Sequence, residues 1–338
     1  MRVAVRIMCQ VLLVLSALWG VGVLWYQVPS WWLRLRLRLP LLLAWLGLAV
    51  WALSDWLSMR WRAYLVGLAG LLLFWFTLQP SHDRQWADDV ANLLSARIEG
   101  DVATLSNVRN FEWHSTTDYT PRWETHQYQI SQIESADLIL SYWMGPAIAH
   151  TLISFAFTDG RRLVFSFEIR KEADEQFSAL GGFFKQFEVV VVAATEADIV
   201  RTRTNARGEE VYVYRLNVPP QDLQELFKEY VAIAADIEAR PRYYHTLTSN
   251  CTTIIYDLAQ KIVALPLDYR LLLSGYFAEY TYDLGGLVPG YDYRTLQGLG
   301  HINERALQHD LTPELSFSEV IRLGIPILPK ANGPTALN

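Results

Sequence analysis

Cysteine is nearly missing from this chain: two occur in 338 residues, Cys9 and Cys251. Cys9 stands at the head of an apolar stretch, so no disulfide framework is available and Cys251 has no partner in its own part of the chain. After residue 80, runs of basic residues are missing too. Residues 1–80 hold seven arginines against one acid, Asp55, a net of +6, which leaves 22 basic and 34 acidic residues, a net of −12, in the remainder. An acidic domain without a Lys/Arg run excludes nucleic acid as a partner, since phosphate contacts need clustered cations. There is no glycine-rich phosphate loop and no Gly-x-Ser-x-Gly elbow. His114, His126, His245, His301 and His309 show no metal-ligand spacing, so neither a metal nor a cofactor is expected. No internal repeat or low-complexity segment follows residue 80.

Apolar sequence, by contrast, fills the first quarter. Residues 8–28 form an almost uninterrupted run, long enough to span roughly 30 Å of hydrocarbon. Residues 39–57 and 61–78 are two further runs. A signal peptide is a poor account of the first, because Trp25-Tyr26-Gln27-Val28 offers no small-residue cleavage site. Three transmembrane helices are expected over residues 1–79, with two as the alternative. Trp31, Trp32, Trp56 and Trp61 fall at the predicted interfaces. With the N-terminus inside, four arginines (Arg2, Arg6, Arg60, Arg62) lie inside and three (Arg34, Arg36, Arg38) outside, a slight bias toward an outward-facing acidic domain.

Residues 80–100 read as a polar connector with some helical pattern, ending at Gly100. From 101 to 290 the pattern is that of one α+β domain: strands, then helices. Alternating runs predict strands at 102–108, 123–130, 136–143, 151–157, 163–169 and 210–216. Glu188 to Ala194, apolar on both parities, predicts a strand buried on both faces. Pro219-Pro220 opens a helix from about 221 to 239. Beyond Leu265 the sequence is irregular, and residues 291–338 are expected to wrap the domain as an extension.

Two reactive side chains stand out. His150 lies on a predicted strand, and Cys251 opens a predicted helix running to about Ile262, with Asn250 as its N-cap. Cys251, Ile254, Ile255, Leu258, Ala259 and Ile262 share one helical stripe. The helix start offers free backbone N–H groups, which lower a thiol's pKa and can hold an oxyanion. Strands 151–157 and 163–169 are joined by Thr158-Asp159-Gly160-Arg161, a hairpin signal. Aligning their aromatic faces also aligns His150 with Ser166 and Glu168. A three-residue loop sets Glu168 opposite His150, whereas a two-residue loop pairs His150 with Ile169; face matching favours the first. A carboxylate there would orient the imidazole. Tyr142, with Trp143 and Trp113, precedes His150 and is read as core rather than as a substrate platform. Set against all this, a cysteine heading an apolar stripe is most often a small core residue, and a lone strand histidine is most often a satisfied one.

Several segments nevertheless resemble one bacterial family. They are Pro80 to Trp86, Asn107 to Phe111, Thr120 to Glu124, Gly145 to Arg170 with His150-Thr151-Leu152, Arg201 to Gly208, and Tyr244 to Thr253 with Asn250-Cys251-Thr252-Thr253. Together, over roughly residues 80–290, they resemble the Lnb N-terminal periplasmic domain family, formerly a domain of unknown function. The resemblance implies a circularly permuted NlpC-like, papain-related fold, an antiparallel sheet packed on helices with the histidine strand preceding the cysteine helix. It implies that Cys251 and His150 are the catalytic pair and Glu168 the third polar residue. The family's namesake is associated with N-acylation of lipoproteins. There the domain comes first, whereas here apolar helices precede it, so shared machinery does not establish a shared substrate.

The resulting expectation is a multi-pass protein of the bacterial inner membrane with its C-terminal domain in the periplasm. It would be a cysteine acyltransferase with Cys251, His150 and Glu168 as catalytic residues and Asn250, Ser166 and Tyr142 supporting them. Its partners would be membrane lipids and lipoproteins or another acyl acceptor. A cysteine amidase or peptidase, and a non-catalytic envelope module, are the alternatives.

Overall fold

The computed structural model describes residues 2–28, 32–54, 59–309 and 314–328. Asp55 to Leu57 of the second apolar run, Trp31, Trp56, and residues 310–313 and 329–338 of the expected extension lie outside the described residues, as do the side chains of Arg2, Trp32, Arg34 and Arg36. The chain forms two compact units. The first comprises Met1–Arg84, Glu175–Glu188 and Pro241–Thr246; the second comprises Gln85–Asp174, Val189–Arg240 and Leu247–Asn338.

In the first unit three apolar helices pack together: α1 (Arg2–Gln27), α2 (Trp32–Leu53) and α3 (Met59–Thr77). Gly20 lets α2 approach α1, since a Cβ there would fall 2.5 Å from the Trp45 indole. The Trp45 Nε1–H donates to the Ala17 carbonyl at 2.9 Å, and the Ser16 and Tyr64 hydroxyls meet at 2.8 Å. Three helices form, but among the described residues only Val3–Gln27 is long and apolar enough to cross a membrane. That pattern is shared by a membrane anchor and a signal sequence. In α2 the apolar stretch found among the described residues is Leu37–Leu53. In α3, Arg60 and Arg62 occupy the helix start.

The second unit is a mixed α+β domain. Its strands are β1 (Ser95–Glu99), β2 (Val102–Arg109), β3 (Glu112–Trp113), β4 (Tyr119–Thr120), β5 (Trp123–Gln129), β6 (Ile133–Tyr142), β7 (Ala149–Phe157), β8 (Arg162–Arg170), β9 (Glu188–Ala194, whose first residue belongs to the first unit) and β10 (Glu210–Arg215). Eight of them form one sheet in the order β1-β2-β9-β8-β7-β6-β10, with β5 also paired to β2. The sheet is mixed rather than antiparallel throughout, because β9 meets β2 in parallel at Arg109 and Ala194. Ser95–Glu99 is a strand where a helical pattern was expected. Gly100, at φ +63°, turns the chain back so that Ser95–Glu99 pairs with Val102–Ser106.

The β7–β8 hairpin has the register that face matching selects. Ala156 pairs with Arg162 and Leu152 with Ser166, leaving a three-residue loop with Gly160 at φ +85°. Phe155, Phe157, Phe165 and Phe167 project from one face onto Phe227 and Tyr230 of α5 (Pro220–Ala239), with ring centroids 4.8 to 6.0 Å apart. Each fully buried phenylalanine contributes roughly 1.5–3 kcal/mol. The other face carries Leu152, Val164, Val190, Val192, Val211 and Val213, covered by Ile199 and Val200 of α4 (Glu196–Arg201) and by C-terminal residues. β9 is therefore buried on both sides, as its composition predicts.

Helix α6 (Cys251–Gln260) ends two residues short of the expected boundary. The sequence after Leu265, expected to be irregular, forms α7 (Phe277–Asp283), α8 (Tyr293–Gly300), α9 (Asn303–Gln308) and α10 (Phe317–Val320). Asp292 and Ser316 cap two of them, a signal too local to show in apolar periodicity. Just past α10, Arg322 reaches the fully buried Asp137 at 2.8 Å and Glu196 at 2.7 Å. That pairing fixes the last described segment to the sheet.

Candidate active site

His150 is the second residue of β7, and Cys251 the first of α6. Two sets of contacts hold the helix start against the strand. The Asn250 side chain accepts hydrogen bonds from the Thr252 and Thr253 amides, both at 2.9 Å, and the Thr253 hydroxyl accepts from the Asn250 amide at 2.9 Å. This capping box fixes the helix start and occupies those amides, leaving the Cys251 N–H as the available donor of the first turn. The Thr252 hydroxyl meets that of Thr151 at 3.0 Å, one residue past His150. Both reactive groups are nearly covered, with 7 % of Cys251 and 8 % of His150 exposed.

The Cys251 thiol lies 3.9 Å from the Thr252 hydroxyl, and the His150 ring stands near enough for its charge to lower the thiol pKa. At the other side of the ring, Nε2 lies 2.6 Å from the Ser166 hydroxyl and 3.1 Å from Glu168 Oε1. Ser166 in turn donates to the same Oε1 at 2.7 Å. Continuing the β7–β8 register sets Glu168 opposite His150, so one hairpin supplies imidazole, hydroxyl and carboxylate.

A second carboxylate and a guanidinium complete the cluster. Arg203 contacts Glu168 at 2.8 Å and Glu209 at 3.3 Å, and Ser141, paired with His150 across β6–β7, donates to Glu209 at 2.5 Å. Arg203 lies on a π-helical turn, Thr202–Ala206, directly after α4. A π-helical turn is a shape that recurs at functional sites.

These neighbours set the charge state. Burial and the Arg203 charge pull the His150 pKa down, yet Glu168 and the Cys251 thiolate outweigh them and raise it to about 9. Burial alone would push the Cys251 thiol up; the charge and hydrogen bond of His150, with the Thr151 amide and the Thr252 hydroxyl, hold it below the ordinary thiol value. Burial likewise works against the Glu168 charge, but His150, Arg203 and Ser166 keep its carboxyl well below the usual range. The shifts favour imidazolium facing carboxylate and bias the thiol toward its thiolate form.

Of the residues singled out from sequence, Cys251, His150, Ser166 and Glu168 come together, and Asn250 serves them through the helix start. Tyr142 does not join them. It follows Ser141 and therefore projects from the opposite face to His150, with its hydroxyl donating to the Gly275 carbonyl at 2.6 Å. Its neighbour Trp143 is exposed rather than core.

Four further residues have no signal in the sequence pattern. Arg203 and Glu209 depend on the π-turn. Gly275 is required where the chain presses on the loop before His150, since a Cβ would fall 2.1 Å from the Pro146 carbonyl oxygen. Tyr230 is fully buried, its hydroxyl has no hydrogen-bond partner, and the Cys251 charge adds to burial in raising its pKa. Among the described residues no group of three His, Cys, Asp or Glu side chains is placed to hold a metal ion.

No curated protein and no solved structure matches the chain. A family profile does, over 157 residues that run from the short β4 strand to Gly275 and so enclose the whole Cys251–His150–Glu168 cluster while leaving out the apolar helices. Residues 119–275 are an Lnb N-terminal periplasmic domain.

Proposed function

We propose that this protein is a membrane-anchored, periplasmic cysteine acyltransferase with the permuted NlpC-like arrangement, held by several spans in the bacterial inner membrane and acting on lipid or lipoprotein acyl groups. The observation that carries this reading is a buried thiol whose pKa is lowered by a neighbouring imidazole, the Nε2 of which is gripped by Ser166 and Glu168. A structural cysteine needs none of those partners.

In the proposed reaction the Cys251 thiolate attacks the carbonyl carbon of an acyl ester. A C–S bond forms, and the tetrahedral oxyanion is held by the Cys251 amide at the start of α6. As the C–O bond breaks, the alcohol leaves with the proton of the His150 imidazolium. An amine acceptor then attacks the thioester and gives its proton to His150; the C–N bond forms as the C–S bond breaks, and the thiolate returns. Glu168 and Ser166 hold the ring through both halves. With water as acceptor the same steps hydrolyse the ester.

The test uses full-length Cys9→Ser protein in detergent, so that Cys251 is the single thiol. Alkylation by iodoacetamide should be fast at pH 7 and fall only in acid, because the thiolate persists below the ordinary thiol pKa of about 8.5. In His150→Ala the profile should move up toward that value. Incubation with diacyl phospholipid should add one acyl mass to Cys251, removable by hydroxylamine. An inert thiol whose profile ignores His150→Ala would sink the reading and leave a binding module.

A further inference from the structure

The segment between β8 and β9 belongs to the apolar-helix unit rather than to the sheet that flanks it. Phe184 explains why. Its ring stacks on Tyr26 at 5.4 Å and fills the notch left by Gly22, where a Cβ would fall 2.1 Å from it. Gln27 Nε2 donates to the Phe184 carbonyl at 2.6 Å, and the Tyr26 and Ser178 hydroxyls meet at 3.1 Å. Lys185 Nζ donates to the Trp75 carbonyl at 3.0 Å and sits 4.7 Å from the centre of the Trp75 ring. Every anchor point, Gly22 to Gln27 on α1 and Trp75 on α3, falls in the last turns of an apolar helix. In a membrane helix those turns mark the lipid–water boundary, where Trp, Tyr and Lys collect.

The composition of the segment fits that boundary. Residues 175–187 carry one acid and one base alongside Phe177, Leu180, Phe183, Phe184 and Phe187, within a chain whose remainder after residue 80 is strongly acidic. Phe184 and Phe187 face inward, but Phe177 is 54 % and Leu180 64 % exposed. Two large apolar side chains more than half exposed on a nearly neutral loop, tied to the ends of two apolar helices, are placed where a lipid surface would cover them.

We propose that Glu175–Phe187 is an interfacial loop that lays Phe177 and Leu180 into the headgroup–acyl boundary of the bilayer holding α1. This rests on reading α1 as a membrane span. The loop begins seven residues after Glu168, and Pro241–Thr246, which joins the same unit, ends five residues before Cys251.

The experiment is fluorescence of a single NBD label in full-length Cys9→Ser/Cys251→Ser protein, reconstituted into phosphatidylcholine–phosphatidylglycerol vesicles. Labels go on Leu180→Cys, with Phe177→Cys as a second variant. Val14→Cys, on the exposed flank of α1, reports the span, and Thr117→Cys, on an exposed turn, reports solvent. The expected result is blue-shifted emission at 180 and 177, quenched more strongly by lipids carrying a doxyl group near the headgroup than by those carrying it deep in the chain. Deep quenching is expected at 14 and none at 117. A solvent-like label at 180 and 177 with 14 still quenched overturns the loop while leaving the span intact. A blue shift without doxyl quenching means a protein contact and also overturns it. Absence of quenching at 14 removes the membrane reading, and the proposal with it.

Discussion

Arg203 is shared by two carboxylates, Glu168 and Glu209, and its guanidinium is almost fully buried. Removing one member of such a cluster leaves uncompensated buried charge, so Arg203→Met should cost roughly 3–5 kcal/mol of stability. Its effect on reactivity should be different in kind. The Arg203 charge opposes protonation of His150, so its loss does nothing to weaken the imidazolium. Denaturant unfolding should show the destabilisation while the alkylation profile of Cys251 stays displaced to low pH. Glu168→Gln should do the reverse to the profile. Without the carboxylate, His150 loses its main source of stabilised charge and the thiol pKa rises. The sign follows from the shifts: His150 is raised, so its cationic contribution is complete below its ordinary value near 6.5 and lost as pH climbs through about 9. An Arg203→Met profile shifted upward as far as that of Glu168→Gln would show that Arg203 instead holds the geometry of the pair. Which of these residues could be read in advance is a matter of distance along the chain. His150, Ser166 and Glu168 are legible because strand alternation and an Asp-Gly turn fix them relative to one another, and Cys251 because a helix start is written locally. Arg203 is not, since its place depends on a π-helical turn that no apolar period announces.

At the scale of elements, the strand carrying His150 is set by what precedes it. Residues 143–148 are a loop, with Gly145 at φ +69°, and Ser274–Tyr276 closes over it. The Gly275 amide donates to the Ala147 carbonyl at 3.0 Å, the Ala149 amide to the Ser274 hydroxyl at 3.0 Å, and Tyr142 binds Gly275 from below. Tyr142 therefore supports the site through the loop rather than by touching the reactive pair. The Gly275 position admits no side chain, because its neighbours are backbone atoms that cannot turn aside. Gly275→Ala should force the loop outward at a cost of about 1–3 kcal/mol. It should also slow alkylation of Cys251 at pH 7, since the start of β7 moves with the loop. A variant of ordinary stability and reactivity would mean that the loop yields freely and does not position His150. Nothing in the sequence marks this contact, because it joins residues about 130 apart through a close approach of two backbones. The same reasoning explains β1: the turn at Gly100 is visible, but only the neighbouring strand makes Ser95–Glu99 extended.

For the whole molecule the question is whether α1 stays. By length and hydropathy it fits both a cleaved signal and a permanent anchor. The proposed anchor draws its support from the contacts α1 makes. The Trp45 indole N–H on α2 donates to the Ala17 carbonyl, and the Tyr64 hydroxyl on α3 meets Ser16 and the Leu13 carbonyl. Trp45 and Tyr64 also pack ring against ring at 5.0 Å within the three-helix core. Cleavage after α1 would strip both polar groups of their partners in apolar surroundings, at several kcal/mol each in hydrocarbon. It would also remove the Gly22 notch and Tyr26 ring on which Phe184 rests. Meanwhile Leu12, Leu15 and Leu18 on α1, Leu43 and Val50 on α2, and Leu65, Val66 and Phe76 on α3 all remain exposed, so each helix offers an apolar flank for lipid. The protein extracted from bacterial membranes should therefore carry α1, with an intact mass and N-terminal peptides that include residues 2–27. Gly20→Leu, which drives a side chain into Trp45, should loosen the bundle and lower the extracted yield without shortening the chain. A mature N-terminus beyond Gln27 would instead make α1 a signal sequence, and the contacts to Trp45, Tyr64 and Phe184 would then have to be made by another helix.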